Sequence, residues 1–344
     1  MITIKDIARK AGVSTATVSR VLNNSPEVSK ITRKKIIKIM EKNNYRPSAI
    51  ARSLTTNKSY SVGIFFTDHF NTGLRHPFFR EVIYGLEKTF GKNSYDMVYF
   101  TEHRWGDTYS YLEKCRNRKV DGVILIGVSP NDPNVLKLLD SELPVVFIDV
   151  DVVGKNASYV MSNNIEGGRI AARYFYELGH RKLGMIMGHG TTKPTQDRLI
   201  GFQSFINEKR LTYKSDWVIN GRYNEKDSYE VMKSLLKMDD KPTAIFCHSD
   251  EMAIGAIYAI EDAGFSVPED FSIIGFDNID ISRYTRPSLT TIGQDKFKMG
   301  ESAAELLLKI MDNRGVCYSP IINPVELIER ESCQPLKAKP KLNI

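Results

Sequence analysis

Residues 3–24 read TIKDIARKAGVSTATVSRVLNN, and this stretch decides the fold of the N-terminal region. Thr3 can cap a helix, and Asp6 completes a Thr-x-x-Asp form of the capping box. Apolar residues then recur at i, i+3, i+4 and i+7 on one helical face: Ile4, Ile7, Ala8 and Ala11. Gly12 ends this helix, and Ser14 caps a second one. The second helix has an apolar face of its own, formed by Val18, Val21 and Leu22. Two helices joined by so short a turn predict a helix-turn-helix.

A third helix is predicted in the sequence that follows. It is expected to begin near Ser29 or Thr32 and to end before Tyr45. Four apolar residues are expected to pack inward: Ile36, Ile37, Ile39 and Met40. Residues 1–46 are therefore predicted to form an all-α domain of three short helices.

Charge is distributed unevenly along the chain. Residues 1–59 carry 13 Lys and Arg against 3 Asp and Glu, a net charge of +10, whereas the other 285 residues have a net charge of −3. A basic region joined to a near-neutral body is typical of a nucleic-acid-binding domain linked to a second domain. A solubilising basic arm would have the charge without the apolar periodicity.

The second helix exposes a set of residues suited to reading DNA. Thr15, Ala16, Ser19 and Arg20 face outward near its N-terminus, where a recognition helix presents side chains to the major groove. Arginine can read guanine with two hydrogen bonds, and small side chains allow close approach. We therefore predict double-stranded DNA as the partner. The alternative is a three-helix unit that binds another protein.

The N-terminal region also resembles a known family. TIKDIARKAGVSTATVSRVLNN, followed by VSKITRKKI and NYRPSAIARSL, is similar to the N-terminal region of the lactose-repressor/galactose-repressor family. The resemblance implies that Thr15 and Ala16 are the variable pair that selects bases. The predicted DNA-binding residues are Thr3, Ser14, Thr15, Ala16, Thr17, Ser19, Arg20, Asn23, Ser29, Ala51 and Leu54.

Residues 47–59 are predicted to form a hinge helix and linker. Pro47 interrupts the chain, and Ser48 can cap a helix so short that it is marginal in water. Its folding can therefore be coupled to DNA binding. In the resembled family this hinge enters the minor groove, and Leu54 matches the leucine that wedges between base pairs there. An ordinary interdomain linker is the alternative.

From residue 60 onward, short apolar runs alternate with helical patterns. The candidate strands fall into two series: Val62–Phe66, Met97–Phe100, Gly122–Ile126 and Val145–Val150, then Lys182–Met187, Trp217–Ile219, Ala244–Cys247 and Ser272–Phe276. Continuously apolar strands that alternate with helices indicate parallel sheets covered on both faces. We therefore predict a two-lobed α/β core over residues 60–332, followed by a tail of residues 333–344.

Polar and aromatic residues follow these strands, where open α/β sheets bind ligands. Carboxylates and arginine suit hydroxyl groups, and aromatic rings suit the apolar face of a sugar. The predicted effector-binding residues are His76, Phe78, Phe79, Asp149, Arg198, Tyr223, Ser249 and Asp277. A strand-end Asp can instead cap a helix, and Asp250 is a candidate for that structural role. A direct pair between Arg198 and Asp277 is the structural alternative for these two residues.

The resemblance extends to about residue 332. It implies a core like that of periplasmic sugar-binding proteins, with crossovers between lobes near residues 161–163, 290–292 and 321. It also implies effector positions at six of the predicted residues, and the family's usual Asn-Asp is here Ser249-Asp250. The tail QPLKAKPKLNI lacks leucine heptads, which favours a homodimer over a coiled-coil tetramer.

Several function classes lack support in the sequence. No P-loop, nucleophile elbow or HExxH motif occurs, so we expect no enzyme, no cofactor and no metal site. No apolar run is long enough to span a membrane and no signal peptide is evident, so we expect a cytoplasmic protein. A solute-binding protein and a sugar kinase or hydrolase are the rival interpretations.

The combined expectation is a transcription regulator. A homodimer would bind a palindromic operator and repress a carbohydrate-use operon, with allosteric release by a small sugar or sugar phosphate. A protein corepressor that acts on the first lobe stays open as an alternative.

Overall fold

The computed structural model describes residues 2–22, 25–45, 58–66, 75–100 and 110–336. Its internal contacts separate two compact units. The first consists of residues 1–61 with 119–121, and the second contains the rest of the chain. We call residues 2–45 the head and the second unit the core.

The described head contains three helices, as predicted: α1 (Ile4–Ala11), α2 (Thr15–Leu22) and α3 (Lys30–Lys42). Serine and threonine caps fix where they begin. Thr3 and Asp6 form the predicted capping box, Ser14 accepts from the amide of Thr17 at 3.1 Å, and Ser29 accepts from that of Thr32 at 3.2 Å. Each such cap contributes about 1 kcal/mol.

The head has one small apolar core that all three helices share. Its buried members are Ile7, Ala8, Ala11, Val18, Val21 and Ile36. The prediction that Ile37 packs inward is wrong, because its side chain is 42% exposed. Ile37 lies one position after the buried Ile36, and a helix turns about 100° per residue, so the two side chains point in different directions.

The core contains twelve strands within the described residues. In chain order they are β1 (Ser61–Phe66), β2 (Asp96–Phe100), β3 (Gly122–Ile126), β4 (Val145–Ile148), β5 (Ala157–Ser162), β6 (Leu183–Met187), β7 (Val218–Asn220), β8 (Ala244–Cys247), β9 (Ser272–Asp277), β10 (Thr290–Gln294), β11 (Ile321–Asn323) and β12 (Val325–Ile328). They form two sheets of six, in the orders β11-β5-β4-β3-β1-β2 and β12-β10-β9-β8-β6-β7. Most neighbouring strands are parallel, but β12 runs antiparallel to β10.

Helices cover both sheets. In chain order they are α4 (Pro77–Lys92), α5 (Tyr111–Arg118), α6 (Pro133–Leu139), α7 (Asn164–Glu177), α8 (Lys193–Glu208), α9 (Glu225–Leu236), α10 (Asp250–Asp262) and α11 (Lys296–Asp312). Helices α4, α5, α6 and α11 belong with the first sheet, and α7 to α10 belong with the second. We call these two layered bodies the first and second lobes. The predicted two-lobed α/β fold is confirmed.

The chain passes between the lobes three times. It leaves the first sheet after β5 and enters α7, returns after β10 into α11, and crosses again between β11 and β12. Strands β5, β10, β11 and β12 were absent from the predicted strands. β11 and β12 are short, with three and four residues, and β5 and β10 contain Ser, Thr and Gln, so the apolar runs of all four are weak.

Candidate functional site

A cleft of about 690 Å³ lies at the carboxyl ends of the strands of both lobes. From the first lobe it is lined by residues that follow β1, β3 and β4, and from the second by residues that follow β6 to β10. Ligands of open α/β sheets bind at such ends, because the loops there are free to vary while the strands hold them in place. The cleft therefore has the position of a ligand site.

All eight residues predicted to bind an effector line this one cleft. His76, Phe78, Phe79 and Asp149 come from the first lobe, and Arg198, Tyr223, Ser249 and Asp277 come from the second. A ligand that touched both sets would bridge the lobes. Their assignment to ligand binding stays a prediction, since the structure fixes only where they lie.

Arg198 is buried at the cleft, with 4% of its surface exposed. Its Nε donates to Asn164 Oδ1 at 2.8 Å, one terminal nitrogen donates to the carbonyl of His248, and the guanidinium lies 3.5 Å from the centre of the Phe276 ring. Within the described residues Arg198 forms no ion pair with a carboxylate, and Asp277 accepts from Gln294 instead. The alternative that Arg198 and Asp277 pair directly is therefore wrong.

Close approach of α7 and α8 brings Arg198 to Asn164. A Cβ on Gly168 would lie 2.1 Å from the Arg198 carbonyl oxygen, and one on Gly201 would lie 1.8 Å from the carbonyl oxygen of Ile165. Both distances are far below van der Waals contact, so only glycine fits at these crossing points. Small residues on both helices thus hold the arginine at the cleft.

Asp277 ends β9 on the floor of the cleft. Gln294, at the end of the neighbouring β10, donates from Nε2 to Asp277 Oδ1 at 2.6 Å, and Lys296 donates to the Asp277 carbonyl at 2.6 Å. Burial raises the pKa of Asp277 to about 6, although the charges of Arg198 and Lys296 oppose this shift. The carboxylate is therefore oriented and ready to accept further hydrogen bonds.

Asp149 occupies the matching position at the end of β4. Its Oδ1 is buried and, within the described chain, has no hydrogen-bond partner. Burial raises its pKa to about 7, opposed by Arg198 and reinforced by Asp277. Asp149, Tyr223 and Asp277 also have positive φ angles of 61°, 54° and 110°. Such backbone strain concentrates at functional sites, because only the surrounding structure can maintain it.

Tyr223 forms part of the cleft wall, and glycine makes room for it. Its hydroxyl lies 2.8 Å from Thr195 Oγ1, while a Cβ on Gly188 would lie 1.9 Å from its ring carbon Cε2. The ring thus rests directly on the backbone that follows β6. On the opposite lobe, Phe78 and Phe79 meet edge to face with ring centres 5.0 Å apart. The cleft therefore offers aromatic surface from both lobes.

Ser249 and Asp250 divide their roles between cleft and scaffold. Ser249 lines the cleft, but its Oγ accepts from the amide of Met252 at 3.1 Å and so caps α10. Asp250 is fully buried and accepts from the Ile279 amide at 2.8 Å and from the Thr291 hydroxyl at 2.5 Å. These contacts give Asp250 a structural role, but the helix cap considered for it is provided by Ser249 instead.

Several cleft residues were not among the predicted site residues. They include Thr192, Lys193, Asp151 and Gln294. Lys193 contacts Asp197 at 2.7 Å and, across the cleft, Asp151 at 3.7 Å. Gln294 could have been found from its place at the end of a strand, but residues 290–292 were interpreted as a crossover.

In the head, the predicted base-reading residues lie on the outer face of α2. Thr15, Ala16 and Arg20 are exposed, and Thr17 and Ser19 are partly exposed. Arg20 forms an exposed ion pair with Glu27 at 3.4 Å. Thr3, Ser14 and Ser29 are exposed but serve as helix caps, so their hydroxyl oxygens already accept backbone amides. Asn23, Ala51 and Leu54 lie outside the described residues.

The described residues add two observations on other classes of site. They contain no group of three or more His, Cys, Asp or Glu side chains arranged to hold a metal ion. Their helices also include none that is long and apolar enough to cross a membrane.

Comparison with known proteins identifies the family. A family model described as bacterial regulatory proteins, lacI family, matches residues 3–48, and a periplasmic binding protein-like domain matches residues 172–333. A Photobacterium profundum protein named HTH-type transcriptional repressor PurR is 37% identical over 340 residues, which is 98% of this chain and 100% of its own. The chain belongs to the lacI family of bacterial regulatory proteins. The predicted family and the prediction of a DNA-binding regulator rather than an enzyme are confirmed.

Solved structures agree with this lacI-family assignment. A transcriptional regulator CelR–cellobiose complex is 26% identical with a TM-score of 0.72 and covers 96% of this chain and 100% of its own. A LacI family regulator from Enterococcus faecium with bound ribose is 28% identical with a TM-score of 0.69, covering 80% of this chain and 100% of its own. The chain is thus similar in fold to regulators that carry a small ligand.

Proposed function

We propose that this lacI-family protein is a transcriptional repressor whose affinity for operator DNA is set by a small carbohydrate bound in the cleft. The observation that carries the proposal is the cleft itself. Arg198, Asp149 and Asp277 supply charged hydrogen-bonding groups between aromatic walls, the combination that holds a ring with several hydroxyls.

The comparisons support this proposal without fixing the ligand. The similar regulators with cellobiose and ribose carry sugars, and the Photobacterium profundum relative is named a repressor. Repression of a carbohydrate-use operon follows as our proposal for this chain. None of these names specifies the ligand of this cleft.

The DNA-binding half of the proposal places α2 in the major groove of each half-site. A homodimer would present two such helices to a palindromic operator, with residues 47–59 as the hinge and Leu54 as a minor-groove wedge. The expected contacts are those of the exposed face of α2, with Thr15 and Ala16 selecting bases. A second copy of the chain is thus required for full affinity.

Coupling between the two halves would use the relative position of the lobes. Three contacts of 3.7 Å join the lobes. Lys193 with Asp151 and Arg80 with Asp280 are ion pairs, and His76 with Glu251 becomes one when His76 is protonated. A ligand that contacts both lobes stabilises their approach, and DNA affinity then changes by the coupling free energy.

A planar heterocycle such as a nucleobase is a second candidate for the ligand. Aromatic side chains from both lobes suit a flat ring as well as a sugar, because the stacking surface has no preference for hydroxyls. The relatives that are 36–37% identical share the name PurR, which none of the sugar-bound neighbours carries.

Two measurements test the proposal. Thermal unfolding of the full chain should shift to higher temperature with individual mono- and oligosaccharides, with nucleobases and nucleosides as the comparison set. A rise with nucleobases alone would reject the carbohydrate. Separately, log affinity for duplex DNA should fall with log salt with a slope of about −0.9 per contacted phosphate. A slope near zero would reject the DNA contacts assigned to the head.

A further inference from the structure

We infer that the cleft selects an uncharged or cationic ligand rich in hydrogen-bond donors, and that it discriminates against phosphorylated or carboxylated analogues of that ligand. This inference rests on the proposed function, since it takes the cleft to be the effector site. It narrows the expectation of a sugar or sugar phosphate to the uncharged sugar.

The charge of the side chains that line the cleft disfavours an anionic ligand. Among the described residues that line it, three carboxylates face two permanent cations: Asp149, Asp151 and Asp277 against Lys193 and Arg198. Two further acids stand directly behind these residues. Asp197 contacts Lys193 at 2.7 Å, and Glu251 lies 3.7 Å from His76. Lys296, which donates to the Asp277 carbonyl, brings the count to five acids against three cations. Even with Asp149 partly protonated near neutral pH, an anionic ligand would enter a site where negative charge exceeds positive charge.

Both cations of the cleft, Lys193 and Arg198, already interact with other groups of the protein. Lys193 lies between Asp197 and Asp151, so its charge is compensated from both lobes. Arg198 donates to Asn164 and to the His248 carbonyl while its plane rests on Phe276. A phosphate is bound most strongly by an arginine with two parallel donors available or by several uncompensated cations. Lys193 is compensated on both sides, and Arg198 gives Nε and one terminal nitrogen to Asn164 and His248, so the described lining residues complete neither arrangement.

Two buried oxygen atoms at the cleft can be satisfied only by a ligand that donates hydrogen bonds. Asp149 Oδ1 and Gln294 Oε1 are buried oxygens that form no hydrogen bond within the described residues. An amide oxygen only accepts hydrogen bonds, so a group that satisfies Gln294 Oε1 must donate. The carboxylate of Asp149 adds the same requirement whenever it is ionised. Hydroxyl, amino and ring N–H groups donate, whereas a fully ionised phosphate or carboxylate offers acceptors alone. An anion placed here would leave these oxygens unsatisfied and add repulsion.

The N-terminus of α8 would attract an anion, but two acidic side chains lie beside it. The loop 188–193, GHGTTK, leads into the N-terminus of α8, and Thr191, Thr192 and Lys193 line the cleft. A helix N-terminus attracts negative charge through its unpaired amides. Here Asp197 on the second turn of α8, together with Asp151 across the cleft, already supplies that charge.

The test compares each neutral compound with its own anion on the full-length protein. The pairs are ribose and ribose 5-phosphate, glucose and glucose 6-phosphate, cellobiose and cellobionate, and adenosine and adenosine monophosphate. Affinities come from calorimetry on any pair in which either member raises the melting temperature. We expect the neutral member to bind at least about tenfold more tightly than its anion.

A substitution that changes charge but little volume tests whether the charge of the cleft, and not its shape, disfavours the anion. Asp151→Asn removes one negative charge at the cleft, so the ratio of the affinity for the neutral compound to that for its anion should fall several-fold. Asp239→Asn, at an exposed acid outside the cleft, should leave this ratio unchanged. Equal or tighter binding of the anion would overturn the inference and leave the proposed carbohydrate effector standing. If no compound of any pair binds, the proposed effector class fails, and the inference about its charge falls with it.

Discussion

Arg198 donates a hydrogen bond of 2.8 Å from Nε to Oδ1 of Asn164, the first residue of α7 after the chain leaves the first lobe. Asn164 is 1% exposed and its own amide nitrogen donates to the Ser162 carbonyl at 3.0 Å. A cleft residue is thus tied to the strand end where the lobes are connected. A ligand that contacted Arg198 would therefore act on a side chain bonded to the crossover.

Asn164→Ala should therefore weaken effector binding although Asn164 does not line the cleft. The change strands a buried donor of Arg198, which costs about 1.5–3 kcal/mol, and it frees the guanidinium to rotate, so affinity should fall roughly tenfold. Asn164→Asp keeps the acceptor oxygen for Arg198 but loses the donor to the Ser162 carbonyl, so it should restore only part of the affinity. Calorimetric titration of both variants checks this. Equal binding by Asn164→Ala and the wild type would show that Arg198 needs no such support.

Gly188→Ala should displace Tyr223 from the cleft wall. The new methyl group would overlap the Tyr223 ring, so we expect a loss of roughly 1–3 kcal/mol in the free energy of unfolding and weaker effector binding. Gly190→Ala is the matched control, because Gly190 lies in the same loop with open space around its Cβ position. Melting temperatures of the purified variants give the comparison.

A double variant with Tyr223→Ala tests whether the clash with the Tyr223 ring causes the loss of stability in Gly188→Ala. If the clash with the ring is responsible, Gly188→Ala should cost much less in the Tyr223→Ala background than in the wild type. Strictly additive losses would instead point to strain in the loop itself.

The stability of the wild type should depend on Asp149 and on pH. Its pKa of about 7 in the folded protein exceeds the value of about 3.9 expected in the unfolded chain, so its ionisation opposes folding. This contribution to stability is present at low pH and is lost as pH rises through about 4 to 7. Of the charged groups facing it, Arg198 lowers the pKa of Asp149 and Asp277 raises it, and Asp277 itself has a pKa raised to about 6.

Asp149→Asn removes that penalty. Its stability relative to the wild type should increase between pH 5 and pH 8 by about 2 kcal/mol, while effector binding becomes weaker. Thermal unfolding of both proteins across this range supplies the measurement. A difference that does not change with pH would mean that Asp149 has an ordinary pKa in the fold.

Substitutions on α2 should change which bases are preferred. Replacing Thr15 and Ala16 should alter the chosen operator, and Arg20→Ala should cost roughly 1–3 kcal/mol at a single base position if Arg20 reads a guanine. Arg9→Ala, at an exposed basic residue on α1, should lower affinity evenly across sequences. Binding to a set of single-base operator variants distinguishes these effects. Identical preferences in every variant would remove α2 from base recognition.

The head could be predicted almost residue by residue because its signals are local. Thr3, Ser14 and Ser29 each cap a helix at a spacing visible in the sequence, and the cap bonds lie where that spacing requires. Ile37 shows the limit of the method. A run of isoleucines hides the helical phase, and only the packed structure shows which one faces inward.

The cleft could be predicted in outline because strand ends converge at one edge of each sheet. Asp149 and Asp277 follow strongly apolar strands and were found this way. Asn164 and Gln294 were missed for a different reason. Their roles depend on tertiary approach, through glycine contacts between α7 and α8 and through the pairing of β9 with β10, and neither leaves a periodic pattern.

We expect above all that a ligand in the cleft changes the affinity of the protein for DNA. The most direct measurement is the dissociation constant for a duplex that the protein has selected from a random pool, with and without a saturating compound that raises its melting temperature. We predict a change of at least about fivefold in the wild type, and little or none in Asp277→Asn, which keeps its DNA affinity without ligand. An unchanged dissociation constant in the wild type, with the compound shown to occupy the cleft, would contradict the account.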